Sequence, residues 1–220
     1  MSDPTLHEVN RSRQHDLLRP DQAASPVTII GVGGIGSPTV IELAQMGVPD
    51  ITVLDDDLVE EHNRSSQHYR QEDIGKPKVV AIAEQAASYG GVRIKARQER
   101  FTTQPLAGIV IAAVDSMDSR QAIWEAVRWN PNVELYIDGR MGGLVAHILT
   151  VRPHDPEDVE RYEQHLFPQS EAAPEKCTAR AIVFNTYGSA SFIAANLRRW
   201  WVEGQITPEV KIDFGGLFML

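Results

Sequence analysis

The chain has 220 residues, 42% of them hydrophobic and 23% charged, the balance of an ordinary globular domain with a single sizeable core. Its formal net charge of −9 excludes the clustered basic surface that nucleic-acid binding needs, and no apolar run reaches membrane-spanning length. A lone cysteine, Cys177, excludes an intramolecular disulfide and any cysteine-rich zinc site; with no apolar leader at the N-terminus, a cytoplasmic protein is expected.

Residues 1–26 read as an N-terminal arm, with Leu6, Val9, Leu17 and Leu18 loosely spaced for a short helix and a proline-bounded loop after it. Val27–Ile30 is β-branched throughout and predicts a strand buried on both faces. Gly31, Gly33 and Gly36 then give the G-x-G-x-x-G spacing, and Ser37–Met46 continues as a helix with Val40, Leu43 and Ala44 near one face. Such a turn lets backbone N–H groups approach phosphate oxygens, and the helix N-terminus adds partial positive charge. By itself the spacing is weak, because a tight strand-to-helix turn also wants glycine for local reasons.

A second strand, Ile51–Leu54, ends in Asp55, Asp56 and Asp57. Asp55 stands about 20 residues beyond the glycine turn, where a βαβ nucleotide fold places the acid that holds ribose hydroxyls. Either a bound cation or sugar, or full solvation, would relieve the repulsion among these three carboxylates. Pro77 suits the first turn of a helix running to about Ser88. Lys78 in that turn opposes the helix dipole, which is tolerable on a surface and useful if the lysine reaches phosphates. Val92–Ala96 alternates as a strand, and Gly108–Val114 is a continuous apolar one ending in Asp115. In a doubly wound sheet, ligands bind beyond such strand ends. Ser116 or Asp118 caps the next helix, Arg120–Trp129. Leu135–Ile137 and Leu144–Val151 are further strands, the latter antiparallel, separated by Asp138-Gly139-Arg140-Met141-Gly142-Gly143. Residues 153–177 are acidic and proline-punctuated, a mobile crossover with one short helix at most. Cys177–Trp201 predicts a long helix, interrupted near Gly188, and Val210–Phe214 a last strand. The fold expected is α/β, Rossmann-like, with a mostly parallel doubly wound sheet and a C-terminal antiparallel extension, forming one domain over 1–220.

Taken together, GVGGIGSPTVIELAQMGVPDITVLDDDLVEEHNRSSQ, DIGKPK and AAVDSMDSR resemble the ThiF/MoeB/ubiquitin-activating-enzyme superfamily of ATP-dependent adenylating enzymes, over about Arg13 to Arg199. The resemblance implies ATP and Mg²⁺ as cofactors. It implies nucleotide contacts from Gly31, Gly33, Gly34 and Gly36, from Asp55 and Asp57 at the ribose, and from Asn63, Gln67 and Lys78 near the phosphates. Asp115 would hold Mg²⁺ with Arg120 behind it, and Arg13 would reach into a partner subunit's site in a homodimer. The implied reaction joins the C-terminal carboxylate of a small ubiquitin-like or sulfur-carrier protein ending in Gly-Gly to AMP, releasing pyrophosphate. A small-molecule, peptide or tRNA-bound carboxylate, or a non-catalytic scaffold role, are alternatives. A nicotinamide-dependent oxidoreductase would rest on the glycine turn and Asp55 alone. Two features depart from the family pattern. The arginine expected three places after Asn63 is Ser66, leaving Arg64 or Arg70 to substitute, and paired Cys-x-x-Cys motifs are missing. For Cys177 two readings stand: a nucleophile activated at a helix start, taking the carrier as a thioester or persulfide, or an inert buried thiol.

Overall fold

The computed structural model describes residues 6, 9–19, 21–171 and 181–219. The described strands are β1 (Val27–Ile30), β2 (Ile51–Leu54), β3 (Lys95–Arg97), β4 (Gly108–Ala112), β5 (Val133–Gly142), β6 (Val145–Val151), β7 (Glu209–Asp213) and β8 (Phe218–Met219). They form one sheet in the order β3-β2-β1-β4-β5-β6-β7-β8. The pairs from β3 to β5 are parallel, and those from β5 to β8 are antiparallel. The helices are α1 (Gly36–Met46), α2 (Lys78–Gly90), α3 (Met117–Val127), α4 (Pro156–Glu163) and α5 (Val183–Glu203). One sheet face packs on α1, α2 and α5, the other on α3 and α4. This is the expected Rossmann-like sheet with an antiparallel extension. Strand order reverses between β1 and β4, so a crevice opens beyond their carboxyl ends. Among the described residues no helix is long and apolar enough to cross a membrane.

Local chemistry explains most boundaries. Val27, Ile29, Ile51 and Val53 are buried in the α1/α2/α5 core, while Ile30 and Leu54 face the other one, as strands covered on both sides require. Helix α1 stops at Gly47, whose φ of +90° lets its N–H bond the Leu43 and Ala44 carbonyls. Ser116 is the cap of α3, its hydroxyl accepting from the Ser119 N–H at 3.2 Å.

Several expectations are corrected. In the arm, the only described helical turn is Ser12–Gln14. The edge strand β3 begins at Lys95 because Val92 and Ile94 bury themselves in the core on the way to it. Helix α3 starts and ends earlier than Arg120–Trp129. Helix α5 begins at Val183, not Cys177, and runs unbroken through Gly188, where the Phe214 ring fills the space a side chain would take. The segment 153–177 agrees with its reading in holding a short helix, α4 over residues 156–163, which buries Val159 and Tyr162; Cys177 lies outside the described residues. The largest difference is β5. Asp138–Gly142 reads as a turn in sequence yet pairs with β6 as far as Gly142 opposite Val145.

Candidate active site at the β1–β4 crevice

The glycine turn leaves β1 under tight backbone constraint. Gly31 has φ +89°, and a Cβ there would sit 2.6 Å from the Ala113 carbonyl oxygen; at Gly36 it would sit 2.0 Å from the Gly31 oxygen. Those two glycines are demanded by the fold. Gly33 is different: its φ is not positive, and a Cβ would meet nothing nearer than Gln67 Nε2 at 4.0 Å. Packing does not require glycine there, whereas a ligand approaching the backbone does.

The residues after β2 close over this turn. Asp55 accepts from the Val32 N–H at 2.8 Å through one oxygen and from the Asp57 N–H at 2.9 Å through the other. The Tyr69 hydroxyl donates to the Val32 carbonyl at 2.7 Å, and the His68 N–H donates to Ser37 Oγ at 2.9 Å. Between these ties the backbone oxygen of Ser66 lies 3.9 Å from where a Gly34 Cβ would be. Asn63 is buried, its Oδ1 accepting from the Glu60 N–H at 2.8 Å. Gln67 Oε1 is buried without a hydrogen-bond partner, while the Nε2 of the same amide is the atom nearest to where a Gly33 Cβ would be. Such an atom can accept from a water or from a bound group.

Lys78 is not the surface lysine its position in sequence suggests. Its side chain is 8% exposed and its Nζ lies 2.6 Å from Asp57, which is 65% exposed. The helix start presents this cation toward the acidic turn, with Asp55, Asp56 and Asp57 close enough together for their carboxylates to share an ion. On the other side of the crevice, Ala113 and Val114 run directly against Gly31, and Asp115 follows them into solvent. The acids, Lys78, Asn63, Gln67 and the open Gly33 therefore border one crevice, and a polyphosphate with a divalent cation fits that donor set.

Two sequence-predicted residues stand elsewhere, and a third lies outside the described residues. Arg120 is buried, with Nε donating to Asp138 at 2.9 Å and another guanidinium nitrogen to the Gly139 carbonyl at 3.2 Å. It is spent on these partners and on the Ser116 carbonyl at 3.5 Å rather than open to the crevice. Arg13 is exposed on an arm docked at the far end of α1, where Gln14 donates to the Met46 carbonyl at 2.7 Å. Eleven helical residues put that end about 16 Å from the glycine turn. Cys177 is not among the described residues. Of the two arginines able to replace the one missing at Ser66, Arg70 is tied to buried Asp73 at 3.1 Å, whereas Arg64 has an exposed partner, Glu61, at 2.6 Å.

Sequence reasoning missed a buried network centred on Asp138. Asp138 is fully buried between Arg120 and Arg140 (2.7 Å), and accepts from the Tyr162 hydroxyl at 2.9 Å. Burial works to raise its pKa, but the two guanidinium groups outweigh that and hold it below the usual carboxylate range. Tyr162 and Tyr136 are both pushed up, chiefly by burial.

A doubly wound sheet with a glycine turn and acids at its reversal point defines a nucleotide-binding class of α/β protein. The chain belongs to the ThiF family, whose model matches residues 11–209. It is 34% identical over 107 residues to the sulfur carrier protein ThiS adenylyltransferase of Escherichia coli, covering 45% of this chain and 43% of that one. To ubiquitin-like modifier-activating enzyme 5 of Drosophila virilis it is 29% identical over 171 residues, covering 68% of this chain and 41% of that one. The crystal structure of E. coli MccB with ATP shares the fold at a TM-score of 0.71 and 18% identity, covering 91% of this chain and 64% of that one. The chain spans under half the length of these curated relatives.

Proposed function

We propose that the chain is an ATP-dependent adenylyltransferase of the E1-like kind, acting in the cytoplasm on the C-terminal carboxylate of a small ubiquitin-like or sulfur-carrier protein. The observation that carries this reading is Gly33, a glycine with no packing reason, whose nearest side-chain neighbour is the amide Nε2 of Gln67, a donor suited to a phosphate oxygen. The family relatives named for carrier and modifier activation support the acceptor class.

In the proposed reaction a carboxylate oxygen bonds to the α-phosphorus of ATP. The bond from that phosphorus to the bridging oxygen breaks, and pyrophosphate leaves with the electron pair. A carboxylate is already ionised at neutral pH, so the protein's work is positioning and charge neutralisation. Backbone N–H groups of Gly33, Gly34 and Gly36 approach the phosphates, Gly31 only shaping the turn because its own N–H is spent on the Leu54 carbonyl at 2.8 Å, and Asp55 with Asp57 holds the ribose. Lys78 and Asn63 meet charge on the leaving phosphates, with Arg64 able to turn from Glu61 toward the crevice in place of the residue at Ser66. Asp115 would hold Mg²⁺, which when bound neutralises phosphate charge. Arg120 acts through Asp138 and the strand end to fix the segment bearing Asp115. Arg13, remote from its own crevice, is suited to the crevice of a second copy in a homodimer.

Isotope exchange between pyrophosphate and ATP tests the reading. Exchange is expected only with a Gly-Gly-terminated carrier, and Asp115→Ala should lower it by about 10²-fold or more while leaving stability within about 0.5 kcal/mol. Exchange supported by a small acid or a peptide would transfer the acceptor class. No nucleotide binding at all would refute the enzymatic reading.

A further inference from the structure

Away from the crevice, on the sheet face that carries α3 and α4, three side chains from separate elements converge. His147 lies in the middle of β6, Glu209 opens β7, and His165 follows α4. His147 Nε2 is 2.8 Å from one oxygen of Glu209, and His165 Nε2 is 3.9 Å from the other. The imidazole rings stand edge to face with centroids 5.1 Å apart. One ligand atom from each residue falls within 4.8 Å of the other two.

We propose that His147, His165 and Glu209 form a binding site for a divalent transition-metal ion of the zinc type, separate from the nucleotide crevice. Two neutral imidazoles and a carboxylate make a donor set suited to Zn²⁺, with a fourth position left for water. A tetrahedral ion with bonds of about 2.1 Å sets its ligand atoms about 3.4 Å apart, so the observed spacings need only small side-chain adjustments.

The surroundings favour an ion over a simple surface pair. Both imidazoles are largely buried, their side chains 19% and 24% exposed, so neither is a freely solvated surface histidine. Glu209 also meets a cation, Lys211. That lysine, 2.8 Å from Glu209, sits directly across the ladder from His147 and is 48% exposed, free to swing into solvent when a cation takes its place. The ligand backbone is already fixed: Arg140 donates to the His165 carbonyl at 2.7 Å. An ion here would tie the segment after α4 to β6 and β7. Through that carbonyl it would also steady Arg140 against Asp138.

The test uses the untagged full chain, stripped with chelator and titrated with ZnCl₂ by calorimetry, alongside Co²⁺ absorption spectroscopy. Expected are saturable binding of about one ion per chain, visible d–d bands with Co²⁺, and a raised melting temperature. His147→Ala and Glu209→Gln should weaken binding by about 100-fold or more, and His15→Ala, on the remote arm, should not change it. His165→Asn, outside regular secondary structure, serves as the variant least able to disturb folding; its metal-free melting temperature should match wild type while the Co²⁺ bands disappear. Absence of saturable binding would overturn the proposal. Equal binding by the His147→Ala/His165→Ala double variant would do so as well.

Discussion

Three aspartates stand at or beyond the carboxyl ends of strands in the parallel part of the sheet: Asp55 after β2, Asp115 after β4, and Asp138 within β5. Solvent reaches the first two and not the third. Asp55 binds two backbone N–H groups of the crevice, and Asp115 is open to solvent, whereas Asp138 is sealed between Arg120, Arg140 and Tyr162. Strand-end position alone does not assign a carboxylate to chemistry. Its partners do: an acid fully satisfied by buried guanidinium groups has no valence left for substrate, and holds the frame on which its exposed neighbours work.

The comparison breaks most visibly at Asp138. Asp138→Asn removes one charge from a buried cluster and leaves two guanidinium groups without their counter-ion, so a loss of about 3–5 kcal/mol is expected in urea unfolding at pH 7. The pH dependence has a fixed sign. The folded-state pKa of Asp138 lies below the unfolded value of about 3.9, so its contribution is complete above that pH and is lost as pH falls through the folded pKa. The stability gap between wild type and variant should therefore be constant from about pH 7 to 5 and narrow below about pH 4. A gap that widened in acid would place the carboxyl in its neutral form at pH 7.

Why the crevice was legible in sequence and this network was not follows from range. Val27–Ile30 and Ile51–Leu54 declare themselves by β-branching, and Gly31 and Gly36 by spacing, all within a few residues of one another. Asp138-Gly139-Arg140 carries charge and glycine, which locally mean turn; the segment is strand because Arg120 on α3 and Tyr162 on α4 arrive from elsewhere to neutralise it. Lys78 misleads in the same way. A lysine in the first turn of a helix reads as exposed, and only the path of the chain brings Asp57 over it. His147, His165 and Glu209 carry no sequence spacing that joins them, since two strands and a loop do so.

Lys78 sharpens the contrast from the crevice side, because it is both buried and placed to act. Lys78→Ala is expected to lower pyrophosphate exchange by about 10²-fold and, unlike a truly exposed lysine, to lose about 1–2 kcal/mol, largely through packing of its aliphatic stem. Lys78→Met keeps most of that stem. It should recover most of the stability in urea unfolding and none of the exchange. Recovery of both would remove the ammonium group from the proposed chemistry.

The smallest stability effect is expected at Gly33, and it separates glycines the fold needs from one the ligand needs. Gly36→Ala would drive a methyl group into the Gly31 carbonyl, 2.0 Å away, and should destabilise the chain severely. Gly33→Ala meets no such obstacle, and its φ is not positive. Its unfolding free energy should stay within about 0.5 kcal/mol of wild type, with loss of backbone freedom in the unfolded chain tending to stabilise. ATP affinity by calorimetry should nevertheless fall by about 10-fold, or about 1.4 kcal/mol, as the methyl group stands where phosphate must approach. A variant that kept full affinity would mean that phosphate does not approach the backbone at this glycine. A variant that unfolded would mean that Gly33 belongs with Gly31 and Gly36 after all.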